Sequence, residues 1–380
     1  MRCLIAGLLA ASALVHVARA DIAISSNDNH TVMDAAANQV ASAGAGPDTI
    51  SVIDLKGEPR VVATLDVPGS VVGPPMAVAI ARDESFAIVT AATKAEASGT
   101  FGIAPDDRVS VIDLTSTPPK LVQSLRAGAG ATTVRISPDG TLALVANRTE
   151  GTVSVFTIKD RRLTAAGTVA IDPKAGPAGI VFLPDGKRAL VTRNFDHQVA
   201  MLRIDGATVT VDKRPITTAL SPYTMDITAD GTLAAVGNMG RGDGDIDTVS
   251  LIDLSAEPFR TIQTIQVGRS PEGLKWSPDG KTLAIGAQDG TTKVSSNPFY
   301  RPAGRLVLLA LEGRALRQVA EAPIGRWNQG IAFSRDGKTV LVQNMVERNI
   351  MVFGWDGTAL TARAPLVLGT GPAAIMTSWP

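Results

Sequence analysis

Thr133-Val134-Arg135-Ile136-Ser137-Pro138-Asp139-Gly140-Thr141-Leu142-Ala143-Leu144-Val145-Ala146-Asn147 reads as a short strand, a tight turn and a second strand. Proline presets one backbone dihedral of that turn and glycine accepts a positive one. Leu142 to Ala146 is almost continuously apolar, as expected of a strand covered on both faces, and Asn147 ends it. Thr152 to Ile158 then alternates apolar and polar residues, the pattern of a half-buried third strand, and Leu163 to Val169 gives a ragged fourth. The hairpin returns as Leu183-Pro184-Asp185-Gly186, Thr228-Ala229-Asp230-Gly231, Ser277-Pro278-Asp279-Gly280 and Ser334-Arg335-Asp336-Gly337, with Arg82-Asp83-Glu84 as an early variant. From Asp83 onward the aspartates are spaced by 56, 46, 45, 49 and 57 residues. A period of that size built from short strands predicts an all-β propeller, each unit a four-stranded antiparallel blade.

The termini add a seventh blade to the six hairpins. Ile22 to Asn27 matches a second strand such as Ala143 to Asn147, and Gly371 to Thr377 matches a first strand such as Gly176 to Phe182. Each end carries what the other lacks, so the closing blade is expected to be shared by N- and C-terminal segments, leaving no open sheet edge. The expected organisation is a seven-bladed β-propeller over residues 21–380 as one domain, preceded by a secretory signal peptide at 1–20. Arg2, the apolar stretch Leu4 to Val17 and the small-x-small pattern Ala18-Arg19-Ala20 carry the leader reading.

Cleavage would remove Cys3, Arg2 and Arg19, leaving 34 basic against 36 acidic residues and no cysteine. A near-neutral chain without a basic stripe gives no electrostatic support for nucleic-acid binding. Export without disulfides fits a periplasmic or secreted protein held by its core, with no membrane span after leader cleavage.

In the Ser-Pro-Asp-Gly hairpins, Leu144-Val145-Ala146-Asn147 and Val111-Ile112-Asp113-Leu114, the chain resembles the YVTN-type, YncE-like propellers of the lactonase-like and cytochrome d1-like superfamily. The resemblance spans nearly all of the chain after the leader. It implies a seven-bladed fold whose relatives include cyclic-ester hydrolases as well as haem and quinoprotein subunits.

Antiparallel order places the loops before strand one and after strand two of every blade on one face, around the axis. Insertions at Met33 to Asp48, Lys94 to Asp107, Met239 to Asp247 and Asp289 to Gly304 raise that face in blades one, two, five and six. Catalytic candidates there are His197 and His30 as acid and base, Glu272 as an alternative base, and Arg193 as an oxyanion partner. Ligand-binding candidates are Asn27, Asp28, Asn147, Arg148, Asn194, Asn238, Arg269, Arg326, Trp327, Asn328, Asn344 and Glu347. The asparagines follow strands and serve either as backbone ties or as an amide ring around a ligand. The arginines suit carboxylate or phosphate, or else pair with surface acids. No metal ligand set is expected beyond Ca²⁺ held by amide and carboxylate oxygens.

The leading functional expectation is an exported binding or scaffold protein, its arginine-rich mouth taking a small anionic ligand or an exported protein partner. The alternative is hydrolysis of a lactone or related ester, with a cyclic-ester substrate. A periplasmic redox-partner role is a third, although the chain has no Cys-x-x-Cys-His for covalent haem.

Overall fold

The computed structural model describes residues 21–378. The predicted leader lies outside them. Seven sheets of four strands, one of them extended by the short strand Ile216–Thr217, follow one another around an axis. Blade 1 is ordered Gly371–Thr377, Ile22–Asp28, Thr49–Asp54, Arg60–Asp66 from the axis outward, so the last strand of the chain pairs antiparallel with the first. Blade 3 (Ala131–Ile136, Leu142–Asn147, Thr152–Lys159, Arg162–Ala170) shows the ordinary order, and blades 2 and 4 to 7 repeat it.

Burial follows the pattern read from the sequence. Second strands such as Leu142–Asn147 are buried along their whole length, whereas the outermost strand Arg60–Asp66 is largely exposed. Apolar side chains collect between blades rather than within one. Val145 and Phe156 of blade 3 pack with Ile88 and Val111 of blade 2. Leu144 and Val155, which face the other way, pack with Ile180 and Val191 of blade 4. The set that joins blade 7 to blade 1 contains Leu341, Ile350, Ala23, Ile53 and Ile375. The ring is therefore closed by hydrogen bonds within blade 1 and by apolar packing on both sides of it.

The hairpin chemistry is local and recurrent. Ser137 Oγ donates to Asp139 Oδ1 at 2.6 Å and accepts from the Leu142 N–H at 2.9 Å, while Gly140 takes φ +75°. Ser277 and Ser334 repeat the arrangement. Glu84 holds the corresponding left-handed position without being glycine, at φ +59°. Its carboxylate accepts from Ser378 at 2.7 Å, which ties blade 2 to the end of the closing strand.

Two insertions carry hairpins of their own, Thr31–Met33 with Gln39–Ala41 and Thr93–Thr100 with Ile103–Pro105. They touch through Ala41 N–H and Phe101 O at 2.9 Å. Among the described residues no helix is long and apolar enough to cross a membrane.

If ring closure stabilises the whole molecule, Ile375→Ala should cost about 2–5 kcal/mol in urea unfolding, as deletions from close-packed cores do. The loss should appear in one cooperative transition. A separate early transition would show that blade 1 opens alone.

Candidate active site at the insertion-bearing end of the axis

Strand register sorts the predicted residues into levels. Ala131, Pro177, Pro222 and Asn328 begin inner strands opposite Asn147, Arg193, Asn238 and Asn344, and Pro372, second in its strand, lies opposite Asn27. Asn194 is thus one residue further along than the other four asparagines, and Arg193 holds their place in blade 4.

Asn27, Asn147 and Asn238 are buried and turn their amides to the third strand of their own blade. Asn147 Nδ2 reaches Thr152 and Ser154 at 2.8 and 2.9 Å, and Asn238 Nδ2 reaches Thr248 and Ser250 at 3.1 and 3.0 Å. Asn27 does the same with Thr49 and Ser51, both at 3.1 Å. A Thr-x-Ser pair in the third strand therefore answers an asparagine at the end of the second. Asn344 donates to Asn349 Oδ1 at 2.9 Å, and Asn328 to Ala287 O at 3.0 Å, linking blades 7 and 6. Their amide nitrogens thus tie strands, while Oδ1 of Asn147, Asn238, Asn328 and Asn344 is buried without a hydrogen bond.

Three of the four arginines have local carboxylates. Arg193 pairs with Asp196, Arg269 with Asp289 at 3.3 Å, and Arg326 with Glu347 at 2.9 Å. Glu347 is thereby engaged as well. His197 Nδ1 accepts from the Ser221 N–H at 3.1 Å, at the left-handed turn (φ +57°) that enters blade 5. Ser270 and Trp327 enter blades 6 and 7 with φ +51° and +48°, their N–H groups held by Asp247 (2.8 Å) and Thr291 (3.1 Å). His197 shares that positioning role. Among the described residues no hydrogen bond or ion pair joins it to His30.

His30 lies in a separate buried cluster. Its Nδ1 is 2.9 Å from Asp48 Oδ1 and 3.2 Å from Asp28 Oδ1, and its Nε2 lies 3.4 Å from Thr93 Oγ1. Asp28 also accepts from the Thr31 and Val71 N–H groups, both at 2.8 Å. Asp48 accepts from Asn29 and Gly69 at 2.9 and 3.2 Å. Burial works against the imidazolium, but the hydrogen bond to Asp48 and the charges of both carboxylates outweigh it and raise the His30 pKa. Burial raises that of Asp28, while contact with His30 carries Asp48 below the usual range against its own desolvation. The three side chains can hold a divalent cation, their donor atoms lying within 4.8 Å of one another.

The remaining residues form the candidate site. Arg148 of blade 3 lies over the Tyr223 and Phe195 rings at 5.6 and 4.8 Å and donates to Asn194 Oδ1 at 2.8 Å. Among the described residues it has no carboxylate at ion-pair distance, and its Nε is buried without a hydrogen bond. Glu272 of blade 6 is 4% exposed and accepts from Gln288. Desolvation raises its pKa to about 8, against a hydrogen bond from Gln329 and the positive field of Arg148. Tyr223 is raised too, by burial first, with the Arg148 charge and the Gly73 N–H opposing. Gly73, at φ +110°, passes so close to Thr132 that a Cβ would lie 1.7 Å from its hydroxyl.

The mouth is one-sided. Trp327 is buried with Val71, Met345 and Ala373, so it plugs the blade 7 to blade 2 side rather than forming an exposed wall. The polar groups run from Arg148 of blade 3 to Gln329 of blade 7. Tyr223, Gln288, Gln329, Phe195 and Asp48 are additions to the predicted set. Tyr223, Glu272 and Gln329 hold the same inner-strand place in three consecutive blades, a signal that alignment of the repeats exposes.

A family model described as "Lactonase, 7-bladed beta-propeller" matches residues 47–298. No curated protein matches the sequence. A putative 6-phosphogluconolactonase of Bacteroides uniformis superposes with TM-score 0.72 at 18% identity, covering 94% of this chain and 99% of that one. A periplasmic gluconolactonase of Pseudomonas aeruginosa gives TM-score 0.69 at 17% identity, covering 94% and 98%. Hydrazine synthase of Kuenenia stuttgartiensis gives 0.63 at 17%, covering 84% and 92%.

His30→Ala leaves two buried carboxylates facing each other and is expected to destabilise by roughly 3–5 kcal/mol, as loss of one partner from a buried ion pair does. Denaturant unfolding at neutral pH measures it. A loss below about 1 kcal/mol would mean that the cluster does not hold the blade 1 insertion.

Proposed function

The chain belongs to the seven-bladed β-propeller lactonase family, and on that premise we propose that Glu272 and Arg148 open a cyclic ester at the polar side of the mouth. One observation carries the reading. Buried Glu272, its pKa pushed up to about 8 by desolvation, lies within the positive field of Arg148, an arginine with no carboxylate at ion-pair distance among the described residues. A base is most useful when its pKa lies near the working pH, and burial of Glu272 tunes it there. As carboxylate, Glu272 takes a proton from water while the water oxygen attacks the lactone carbonyl. Arg148 stabilises the oxyanion that develops. The ring C–O bond then breaks, the leaving oxygen takes the proton back from Glu272, and a hydroxy acid results. Asn194 and the Phe195 and Tyr223 rings hold the guanidinium in place. Gln288 and Gln329 orient the carboxylate.

The family match and the electrostatic coupling of Glu272 to Arg148 favour this reading over a pure binding or scaffold role. The arginines that suggested a broad anionic mouth are otherwise neutralised by Asp196, Asp289 and Glu347. The similarity to a periplasmic enzyme, together with the leader expected at residues 1–20, supports a periplasmic location. The Ca²⁺ expectation attaches to Asp28 and Asp48 instead of the amide ring. His30 joins them as a third possible ligand, and protonation of its ring, which both carboxylates favour, competes with any metal for that place.

Hydrolysis of glucono-δ-lactone and simpler lactones, followed in a pH-stat, tests the proposal. Glu272→Gln and Arg148→Met are each expected to lower kcat/KM by about 10²-fold or more. Wild-type turnover should rise with pH to a plateau above about 8, the value at which Glu272 ionises. Full activity in both variants would remove the assignment.

Glu272 also makes a stability prediction. Its folded pKa is above the unfolded carboxylate value, so the native state binds more protons and stability falls as pH rises from 4.5 to about 8. Glu272→Gln should flatten that fall and raise Tm at pH 8. An unchanged pH dependence would mean that the carboxylate is solvated.

A further inference from the structure

The opposite end of the axis carries a second constellation. Register on the second strands puts Arg135 of blade 3, Asp226 of blade 5 and Lys275 of blade 6 at one level of the inner wall, with Met376, Val181 and two alanines completing it. On one side of this level the axis narrows, between Met76, Met225, Leu274 and Ile331, to a void of about 10 Å³. On the other side it widens into a cavity of about 440 Å³ that opens among the Asp-Gly hairpins. That volume is within the range of small-molecule sites. The narrowing separates it from the Glu272 rim.

The charges at its floor do not cancel. Lys275 pairs with Asp226 at 3.2 Å, and Asp226 also accepts from the Trp276 N–H at 2.8 Å. Arg135 donates through Nη1 alone, to Met76 O, Val78 O and Val134 O at 3.1, 3.3 and 2.8 Å. Its Nε and Nη2 make no hydrogen bond among the described residues, and no carboxylate lies within ion-pair distance. Farther out, the solvent-exposed rim carries Arg82 with Asp83 and Asp139, whose charges are screened by water; Asp139 accepts from Ser137 and Thr141, and Asp83 from Ser85. Two cations and one anion thus leave one net positive charge at the floor, on the half-buried Arg135. Burial lowers the Arg135 pKa to about 10 while Asp226 opposes the fall, so the guanidinium stays charged at neutrality. The walls above it are apolar, with Ile80, Phe86, Ile136, Phe182 and Ile227.

We propose that this cavity is a second binding site, independent of the hydrolytic rim, for a small organic monoanion: a carboxylate held by the free edge of Arg135, with an apolar body against Ile136, Phe182 and Ile227. A planar guanidinium edge matches a carboxylate in two parallel hydrogen bonds, and the single uncompensated charge favours one anion over two. The apolar walls favour a hydrocarbon body over a bare inorganic ion.

Calorimetric titration of the full chain with benzoate tests it, beside benzamide, inorganic phosphate and three variants. Benzoate should bind one to one, and benzamide and phosphate at least about tenfold more weakly. Arg135→Met should weaken benzoate by about tenfold or more. Ala229→Trp places an indole over the opening from an exposed hairpin position and should weaken binding with Tm unchanged. Glu272→Gln should bind benzoate as wild type does. If Arg135→Met fails to fold, Ala229→Trp decides. Absence of benzoate binding in the millimolar range, equal affinity for benzamide or phosphate, or folded variants at Arg135 or Ala229 that bind like wild type would overturn the proposal. Loss of benzoate binding in Glu272→Gln would also overturn it, by locating the ligand at the other end.

Discussion

Everything in this molecule depends on one strand pairing. Gly371–Thr377 lies on Ile22–Asp28 with Ile24 opposite Met376 and Ser25 opposite Ile375. Among the described residues these are the strands farthest apart in sequence, so their contact carries the largest loop-closure cost in the fold. What offsets the cost is collective. The pairing fills the inner place of blade 1 and completes the apolar packing against blades 7 and 2. It also removes the open inner edge that Ile22–Asp28 would otherwise present. Gln343 of blade 7 adds a polar lock, donating to Ser25 Oγ at 2.8 Å and to Ala374 O at 3.0 Å.

Closure also explains how chemistry arises on a repetitive scaffold. Seven blades present the same inner-strand places at each level, and the sequence differs from blade to blade at those places. Near the insertions this variation puts Tyr223, Glu272 and Gln329 on one side and Ala373 beside Trp327 on the other. Near the hairpins it puts Arg135, Asp226 and Lys275 at a common level. In each case a charge from blade 3 acts on a carboxylate two or three blades away. Only a closed, rigid ring holds such partners at fixed separation, and burial of Glu272 and Asp226 makes the fields on them effective.

Much of the architecture was legible. Turn chemistry at Ser137-Pro138-Asp139-Gly140, uniform burial at Leu142 to Ala146 and the complementary termini each have a local physical cause, and each led to the observed sheet. The site was legible in part. Arg148 is hydrogen-bonded to Asn194 and its field reaches Glu272, whereas for Arg193, Arg269 and Arg326 pairing with acids was only one of two readings, because the acids concerned, Asp196, Asp289 and Glu347, are brought to them by loop conformation. His30 and His197 looked like an acid–base pair because both lie on one face; the structure puts one in a carboxylate cluster and the other under a strained turn. Arg135, Asp226 and Lys275 each look like a lone charge in an apolar strand. Their shared level emerges only when every inner strand is registered on its neighbour.

The direct test of closure as the governing constraint is native-state amide hydrogen exchange across blade 1, compared with the central strands of blade 4. If the ring opens only when the molecule unfolds, the amides of Ile24, Ser25 and Ile375 will exchange with the same free energy as those of Leu190 and Val191, and with the same denaturant dependence. Exchange of the blade 1 amides through a smaller, denaturant-insensitive opening would show that the termini fray independently, and would contradict the account.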